Sequence, residues 1–100
     1  MIETSGKKLA GAIIRLHPND NIVVARIDIG IGTEVPSENF TSRSQVPAGY
    51  KIAAKKILKG EPILKYNVTV GFANTDIEAG TMVHSHNTEF REFDRDYAYA

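Results

Sequence analysis

Val46-Pro-Ala-Gly49-Tyr-Lys-Ile52 is the stretch that decides the fold, because its pattern occurs four times along the chain. In each copy a β-branched residue is followed by a glycine three positions later and by a second β-branched residue after three more. The other copies are Ile29-Gly-Ile-Gly32-Thr-Glu-Val35, Ile57-Leu-Lys-Gly60-Glu-Pro-Ile63 and Ile77-Glu-Ala-Gly80-Thr-Met-Val83. A strand end, a glycine able to adopt positive φ and a new strand start are typical of a tight turn. The pattern therefore predicts four sharp corners between strands.

Short runs rich in β-branched residues surround these corners, and helical periodicity is almost absent. The predicted strands cover residues 12–16, 22–29, 51–54, 63–66, 68–73 and 81–86. The glycines of the four copies are unevenly spaced, which does not suit a regular solenoid. We therefore predict an all-β fold: a small irregular barrel with short strands and several tight Gly turns.

Length and composition limit the classes of function. One hundred residues make a single domain, for which we predict a flexible N-terminus at 1–10, a folded domain at 11–88 and a C-terminal tail at 89–100. Twelve basic and twelve acidic residues give zero net charge, so no nucleic acid and no membrane surface is expected as a partner. The chain has no cysteine and no long apolar run or signal-peptide pattern, which predicts a cytoplasmic location and no thiol chemistry.

Two of the three histidines form His84-Ser-His86-Asn87 at the end of a predicted strand. Alternation along a strand would put both imidazoles on one face, with Cβ atoms about 7 Å apart, as two ligands of one metal require. Imidazoles with nearby oxygen ligands suit Fe, Mn or Zn. The third histidine, His17, precedes a proline, which favours extended backbone and presents His17 at the end of a strand.

Each of these residues also has a plainer interpretation, which the sequence leaves open. A His-x-His element such as His84 and His86 is most often an exposed strand end, because no spaced partner motif completes a metal site. Asp20 and Asn21 suit a turn in which their side chains bond backbone amides. Lys51 is compatible with an ordinary solvent-facing lysine.

A succession of five motifs resembles the N-terminal domain of the altronate dehydratase family, which is a β-clip of SAF type. The motifs are His17-Pro-x-Asp20-Asn21, Val46-Pro-Ala-Gly49-x-Lys51, Ile57-x-x-Gly60-Glu-Pro-Ile63-x-Lys65-Tyr66, Gly71-x-Ala73-x-x-Asp76-Ile77-x-x-Gly80 and Val83-His84-x-His86-Asn87. The resemblance extends from about Ile13 to Asn87. It departs from the family at Tyr50 and Met82, where family members often carry histidine.

The resemblance implies a small subunit or N-terminal domain of a hydro-lyase that works with a larger dehydratase subunit or domain and is not active alone. Such an enzyme eliminates water from a sugar acid to give a 2-keto-3-deoxy acid. A divalent metal, Fe2+ or Mn2+, would be shared with the larger subunit. The roles that the resemblance implies are catalysis for His17 and Lys51, substrate binding for Asp20, Asn21, Lys51 and Asn87, and metal binding for His84 and His86.

One alternative from another class of function stays open. The same fold could serve as a non-catalytic module that binds a carboxylate or sugar or that supports assembly, including self-association into a homo-oligomer.

Overall fold

The computed structural model describes residues 11–90, so the predicted N-terminal segment 1–10 and residues 91–100 of the predicted tail lie outside the described residues. Within 11–90 the chain forms nine β-strands and one short 3-10 helix, Pro36–Glu38, which confirms the all-β prediction. The strands are β1 (Ile13–Ile14), β2 (Ile22–Ala25), β3 (Glu34–Val35), β4 (Phe40–Thr41), β5 (Lys51–Ala53), β6 (Pro62–Lys65), β7 (Val68–Ala73), β8 (Met82–Val83) and β9 (Thr88–Glu89). No helix in this range is long and apolar enough to cross a membrane.

The strands form three antiparallel sheets. Their orders are β1-β2-β5-β8, β3-β4 and β6-β7-β9. The sheets stay open at their edges, so the prediction of a barrel is wrong in this respect. Strands of two to six residues that end at sharp corners are too short to keep the continuous tilt and stagger of a closed barrel.

The four predicted corners are present at the glycines of the repeat. Gly32, Gly49, Gly60 and Gly80 have φ values of 89°, 92°, 91° and 89°. In each corner the residue after the glycine donates its backbone N–H to the carbonyl three residues earlier, at 2.9–3.2 Å. The repeat was therefore interpreted correctly from sequence.

The four corners associate in two pairs that share one geometry. Ile29 exchanges two backbone hydrogen bonds with Val46, each 2.8 Å long. Ile57 and Ile77 exchange an equivalent pair of 2.8 and 2.7 Å. The pairing of the strands that follow the corners repeats as well. Strand β3 follows the Gly32 corner and pairs with β4, and β8 follows the Gly80 corner and pairs in the same way with β5. The chain thus builds the same pair of corners twice, and each pair has its own core.

The core consists of two clusters of buried apolar side chains, one for each pair of corners. The first contains Ala12, Val23, Ala25, Ile29, Val35, Phe40, Val46 and Ile52. The second contains Ile22, Ala53, Ile57, Ile63, Ala73, Ile77 and Val83. Strand β5 joins the clusters, because Ile52 belongs to the first and Ala53 to the second.

Candidate functional site

An open cavity of about 470 Å³ lies between the start of β5, the β6–β7 hairpin and the turn that follows β8. It is lined by Lys51, Ile63, Val70, Gly71, His84, Ser85, Thr88 and Phe90. Two residues of the predicted site, Lys51 and His84, therefore share one cavity. The remaining wall combines aliphatic and aromatic surface with two hydroxyl groups. This composition suits a ligand that has both an anionic and an uncharged part.

Lys51 is the cationic group of the cavity wall. It begins β5 directly opposite Val83 of β8, so its side chain lies beside the turn that carries His84. Burial lowers the pKa of Lys51, and the positive charge of Lys65 lowers it further. Both effects penalise the protonated amine. A carboxylate bound in the cavity would offset this penalty, so Lys51 is well placed to attract an anion.

His84 lies in a turn, which corrects the predicted strand. Strand β8 ends at Val83, and the Asn87 N–H donates to the His84 carbonyl at 3.1 Å to close the turn. The His84 N–H donates to the side-chain oxygen of Asn87 at 3.0 Å, and the Asn87 amide donates to the Met82 carbonyl at 2.9 Å. Because Asn87 satisfies these backbone groups, the ladder stops, and His84 and His86 do not share one face of a strand.

The imidazole of His84 packs against Tyr50. The two rings meet edge to face, with centroids 5.0 Å apart and planes at 64°. The Thr88 hydroxyl donates to the His84 carbonyl at 2.8 Å. These contacts from both sides hold His84 at the edge of the cavity, while the buried Asn87 supports the turn from within.

His86 is exposed in the same turn and does not line the cavity. Within residues 11–90, no group of three or more His, Cys, Asp or Glu side chains could hold a metal ion. Two imidazoles leave at least two positions of a tetrahedral or larger coordination shell unfilled. The described residues therefore do not make a complete metal centre by themselves, and metal binding stays a prediction that requires ligands from elsewhere.

His17 lies in the loop between β1 and β2 and does not line the cavity. Its Nδ1 accepts the Asn19 N–H at 3.0 Å. The loop wraps around Arg15, whose guanidinium binds both carboxylate oxygens of Glu38 at 2.7 and 2.8 Å. The same guanidinium donates to the carbonyls of His17 and Asp20 at 2.9 and 3.0 Å. The catalytic role predicted for His17 stays a prediction.

Asp20 and Asn21 are buried and hold the β6–β7 hairpin. The carboxylate of Asp20 accepts the backbone N–H groups of Tyr66 and Asn67 at 2.9 and 2.7 Å. The side-chain amide of Asn21 makes two further hydrogen bonds, both of 2.8 Å, to the backbone of β6. The structure thus gives both side chains a supporting position beneath the hairpin, and their predicted contact with substrate stays a prediction.

Sequence reasoning did not single out several residues that complete the cavity. Ser85 lies between His84 and His86, and Thr88 follows Asn87, so their position in or next to the His-x-His element was a usable signal for their hydroxyls. Gly71 begins one of the five motifs, but neither Gly71 nor Phe90 gave a sign of lining a cavity, because only the pairing of β7 with β9 brings them to the same wall. Arg15, which holds the His17 loop and does not line the cavity, gave no signal either, since its partner Glu38 is 23 residues away.

The fold and the cavity together define a small all-β module with a cationic, partly apolar cavity among its described residues. Residues 11–91 match the family described as the altronate/galactarate dehydratase SAF domain. The chain therefore belongs to this family.

The relatives named for their activity fall into two groups. The chain is 43% identical over 89 residues to altronate dehydratase of Escherichia coli K12, an alignment that covers 86% of the chain and 18% of the enzyme. It is 31% identical over 80 residues to altronate dehydratase of Bacillus subtilis, covering 78% of the chain and 16% of the enzyme. It is also 32% identical over 54 residues to (2R)-sulfolactate sulfo-lyase subunit alpha of Paracoccus pantotrophus, covering 54% of the chain and 81% of that subunit. The chain thus spans less than one fifth of the length of these two altronate dehydratases.

Proposed function

We propose that this chain is the SAF part of a hydro-lyase of altronate dehydratase type, which removes water from a sugar acid to leave a 2-keto-3-deoxy acid. The observation that carries the proposal is the shared cavity of Lys51 and His84. Membership of the dehydratase SAF family supports it, as does the 43% identity to an altronate dehydratase.

The elimination needs a base for the proton next to the carboxylate, charge stabilisation for the resulting enediolate and an acid for the leaving hydroxyl. In this proposal Lys51 pairs with the substrate carboxylate and holds it against the wall of the cavity. His84, fixed by Tyr50, exchanges a proton with a substrate hydroxyl. The hydroxyls of Ser85 and Thr88 bind the other hydroxyl groups of the sugar acid.

We further propose that a larger dehydratase chain or domain supplies the remaining groups. Among residues 11–90, the lining of the cavity contains two titratable side chains, Lys51 and His84, fewer than the reaction requires. A small separate chain has a parallel in the family, because the sulfo-lyase relative is named as a subunit and is mostly covered by the alignment. A Fe2+ or Mn2+ ion, if bound by His84 and His86, would take its other ligands from the larger chain.

The test is coexpression of this chain with a candidate large dehydratase chain from the same genome, followed by an assay for 2-keto-3-deoxy acid from D-altronate. Lys51→Met should lower kcat/KM about 10- to 100-fold, which corresponds to losing one charged hydrogen bond. Lys59→Met is the matched control, because Lys59 is exposed in a turn away from the cavity. Full turnover by the Lys51→Met complex would refute the assigned role.

A non-catalytic module that binds a carboxylate or sugar is the second candidate. The apolar share of the cavity wall, from Ile63, Val70 and Phe90, favours simple binding over chemistry. Saturable binding of D-altronate by a chain that forms no active complex with the large subunit would support this candidate.

A further inference from the structure

The two core clusters correspond at five positions. The corner bridges and strand registers define the equivalence, since Ile29 pairs with Val46 as Ile77 pairs with Ile57. The equivalent apolar pairs are Ala25 and Ala73, Ile29 and Ile77, Val35 and Val83, Val46 and Ile57, and Ile52 and Ile63. Each half of the molecule therefore packs the same kind of side chain at these positions.

Three positions of the first cluster, Phe40, Val23 and Ala12, are occupied differently in the second half. Phe40 lies opposite Val35 in the first half, and Lys51 takes the equivalent place opposite Val83. Val23 lies opposite Ile52 of the neighbouring strand, and Gly71 takes the equivalent place opposite Ile63. Phe40 and Val23 are buried in the first cluster, whereas Lys51 and Gly71 line the cavity.

A third exchange supports the site from below. Arg26 donates its backbone N–H to Ala12 at 2.8 Å, and Asn74 donates equivalently to Asn87 at 3.0 Å. Ala12 is part of the first cluster, while Asn87 supports the turn of His84. All three residue differences between the halves thus lie at the cavity or directly behind it. The cavity therefore forms where the second half lacks the apolar side chains that fill the first half.

The backbone dihedral angles of Gly71 do not require a glycine. Gly71 is not among the residues of the described chain that adopt positive φ, so other side chains fit its conformation. A Cβ at this position would lie 3.3 Å from the Glu89 carbonyl oxygen and 3.9 Å from Cε1 of Phe90. The first distance is a tight contact, so the β9 backbone would have to shift by a few tenths of an ångström, while the second is an ordinary contact. The glycine therefore lets β9 approach closely and keeps the cavity wall free of a side chain next to Phe90.

We propose that Gly71 is a specificity-determining residue, whose missing side chain leaves room for the carbon chain of a sugar acid when the carboxylate is paired with Lys51. This inference rests on the proposed function and deepens it. A hydroxy acid of three carbons would be held by Lys51 alone, while a six-carbon acid must extend along Gly71 towards Phe90. Gly71→Val, which restores the residue of the first half, should therefore discriminate between the two lengths.

The experiment is an NMR titration of the full chain with D-altronate and with D-glycerate, following the backbone amides of residues 71, 84 and 88. Gly71→Val should weaken D-altronate binding at least ten-fold and change D-glycerate binding less than two-fold. Val68→Ile is the matched control, because Val68 is exposed on the same strand and does not line the cavity. Gly71→Ala provides a second variant with a smaller change should Gly71→Val fail to fold, as judged by its amide spectrum.

The outcomes separate the two proposals. Unchanged D-altronate binding by a folded Gly71 variant, or equal losses for both acids, would overturn the role of Gly71 and leave the carboxylate site intact. If the unmodified chain binds neither acid, the carboxylate site itself is refuted, and the role of Gly71 is refuted with it.

Discussion

Gly80 has to meet a steric demand that Gly49 does not share, although both have positive φ. A Cβ at Gly80 would overlap the carbonyl oxygen of Thr41, whereas a Cβ at Gly49 would meet no atom within 4 Å. We expect Gly49→Ala to cost about 1 kcal/mol from backbone strain alone. Gly80→Ala should cost roughly 1–3 kcal/mol more, because the backbone of Thr41 must move. Urea unfolding of both variants measures the difference, and equal costs would contradict the close approach.

Lys51 makes stability depend on pH in a defined direction. Burial and then Lys65 lower its pKa in the folded state below the ordinary value of 10.5. The folded protein therefore binds this proton less tightly than the unfolded chain, and the penalty is present at neutral pH. It disappears as the pH rises through the lowered pKa towards 10.5.

Lys51→Met should therefore be more stable than the unmodified protein at pH 7, and its advantage should shrink as the pH approaches 10.5. Melting temperatures of the unmodified protein and of Lys51→Met, measured from pH 7 upwards, test this pH dependence. The exposed Lys59→Met serves as the control. A pH-independent difference would show that the gain comes from packing and not from the charge.

The β6–β7 hairpin depends on a strained two-residue turn. Tyr66 and Asn67 have φ values of 57° and 61°, the arrangement of a type I′ turn, in which an aromatic residue is unfavourable. The Asp20 carboxylate offsets this cost by accepting both of their N–H groups. Asp20→Asn should destabilise the protein by roughly 2 kcal/mol, because one charged acceptor is lost.

A rescue variant tests this explanation. Tyr66→Gly relieves the φ strain, so the cost of Asp20→Asn should be smaller in the Tyr66→Gly background. Additive effects in the double-mutant cycle, measured by urea unfolding, would mean that Asp20 does not act through the turn.

Local pattern predicted some elements well and others poorly. Strand β7 has the bounds predicted for it, because β-branched residues and a flanking Asn define both ends. Strand β8 was predicted too long, since β-branched Thr81 and Val83 gave no sign that Asn87 would bond back to His84. A polar side chain a few positions after a short apolar run can end a strand by bonding back to its backbone, and hydrophobic periodicity alone does not reveal this.

At the scale of the whole molecule, the repeat predicted the corners but not their partners. Ile29 pairs with Val46, and Ile57 pairs with Ile77, which are contacts between distant segments. Nothing local distinguishes this arrangement from other pairings of four similar copies. The cavity depends on this arrangement, because β5 pairs with both β2 and β8 and so places Lys51 next to the turn of His84.

The difference between the two halves leads to a final prediction: the side chain of Lys51 provides a binding site and thereby lowers the stability of the fold. Lys51→Phe would give the second half the residue that Phe40 provides in the first, and burying the ring should stabilise the fold by about 2 kcal/mol. The same variant should lose carboxylate binding. The reciprocal change, Phe40→Lys, puts a charge at a buried position and should cost at least about 3 kcal/mol. Urea unfolding of both variants measures these effects. If Lys51→Phe lowers the free energy of unfolding, an aromatic side chain cannot pack in the second half as Phe40 packs in the first, and the cavity does not arise from a missing core side chain.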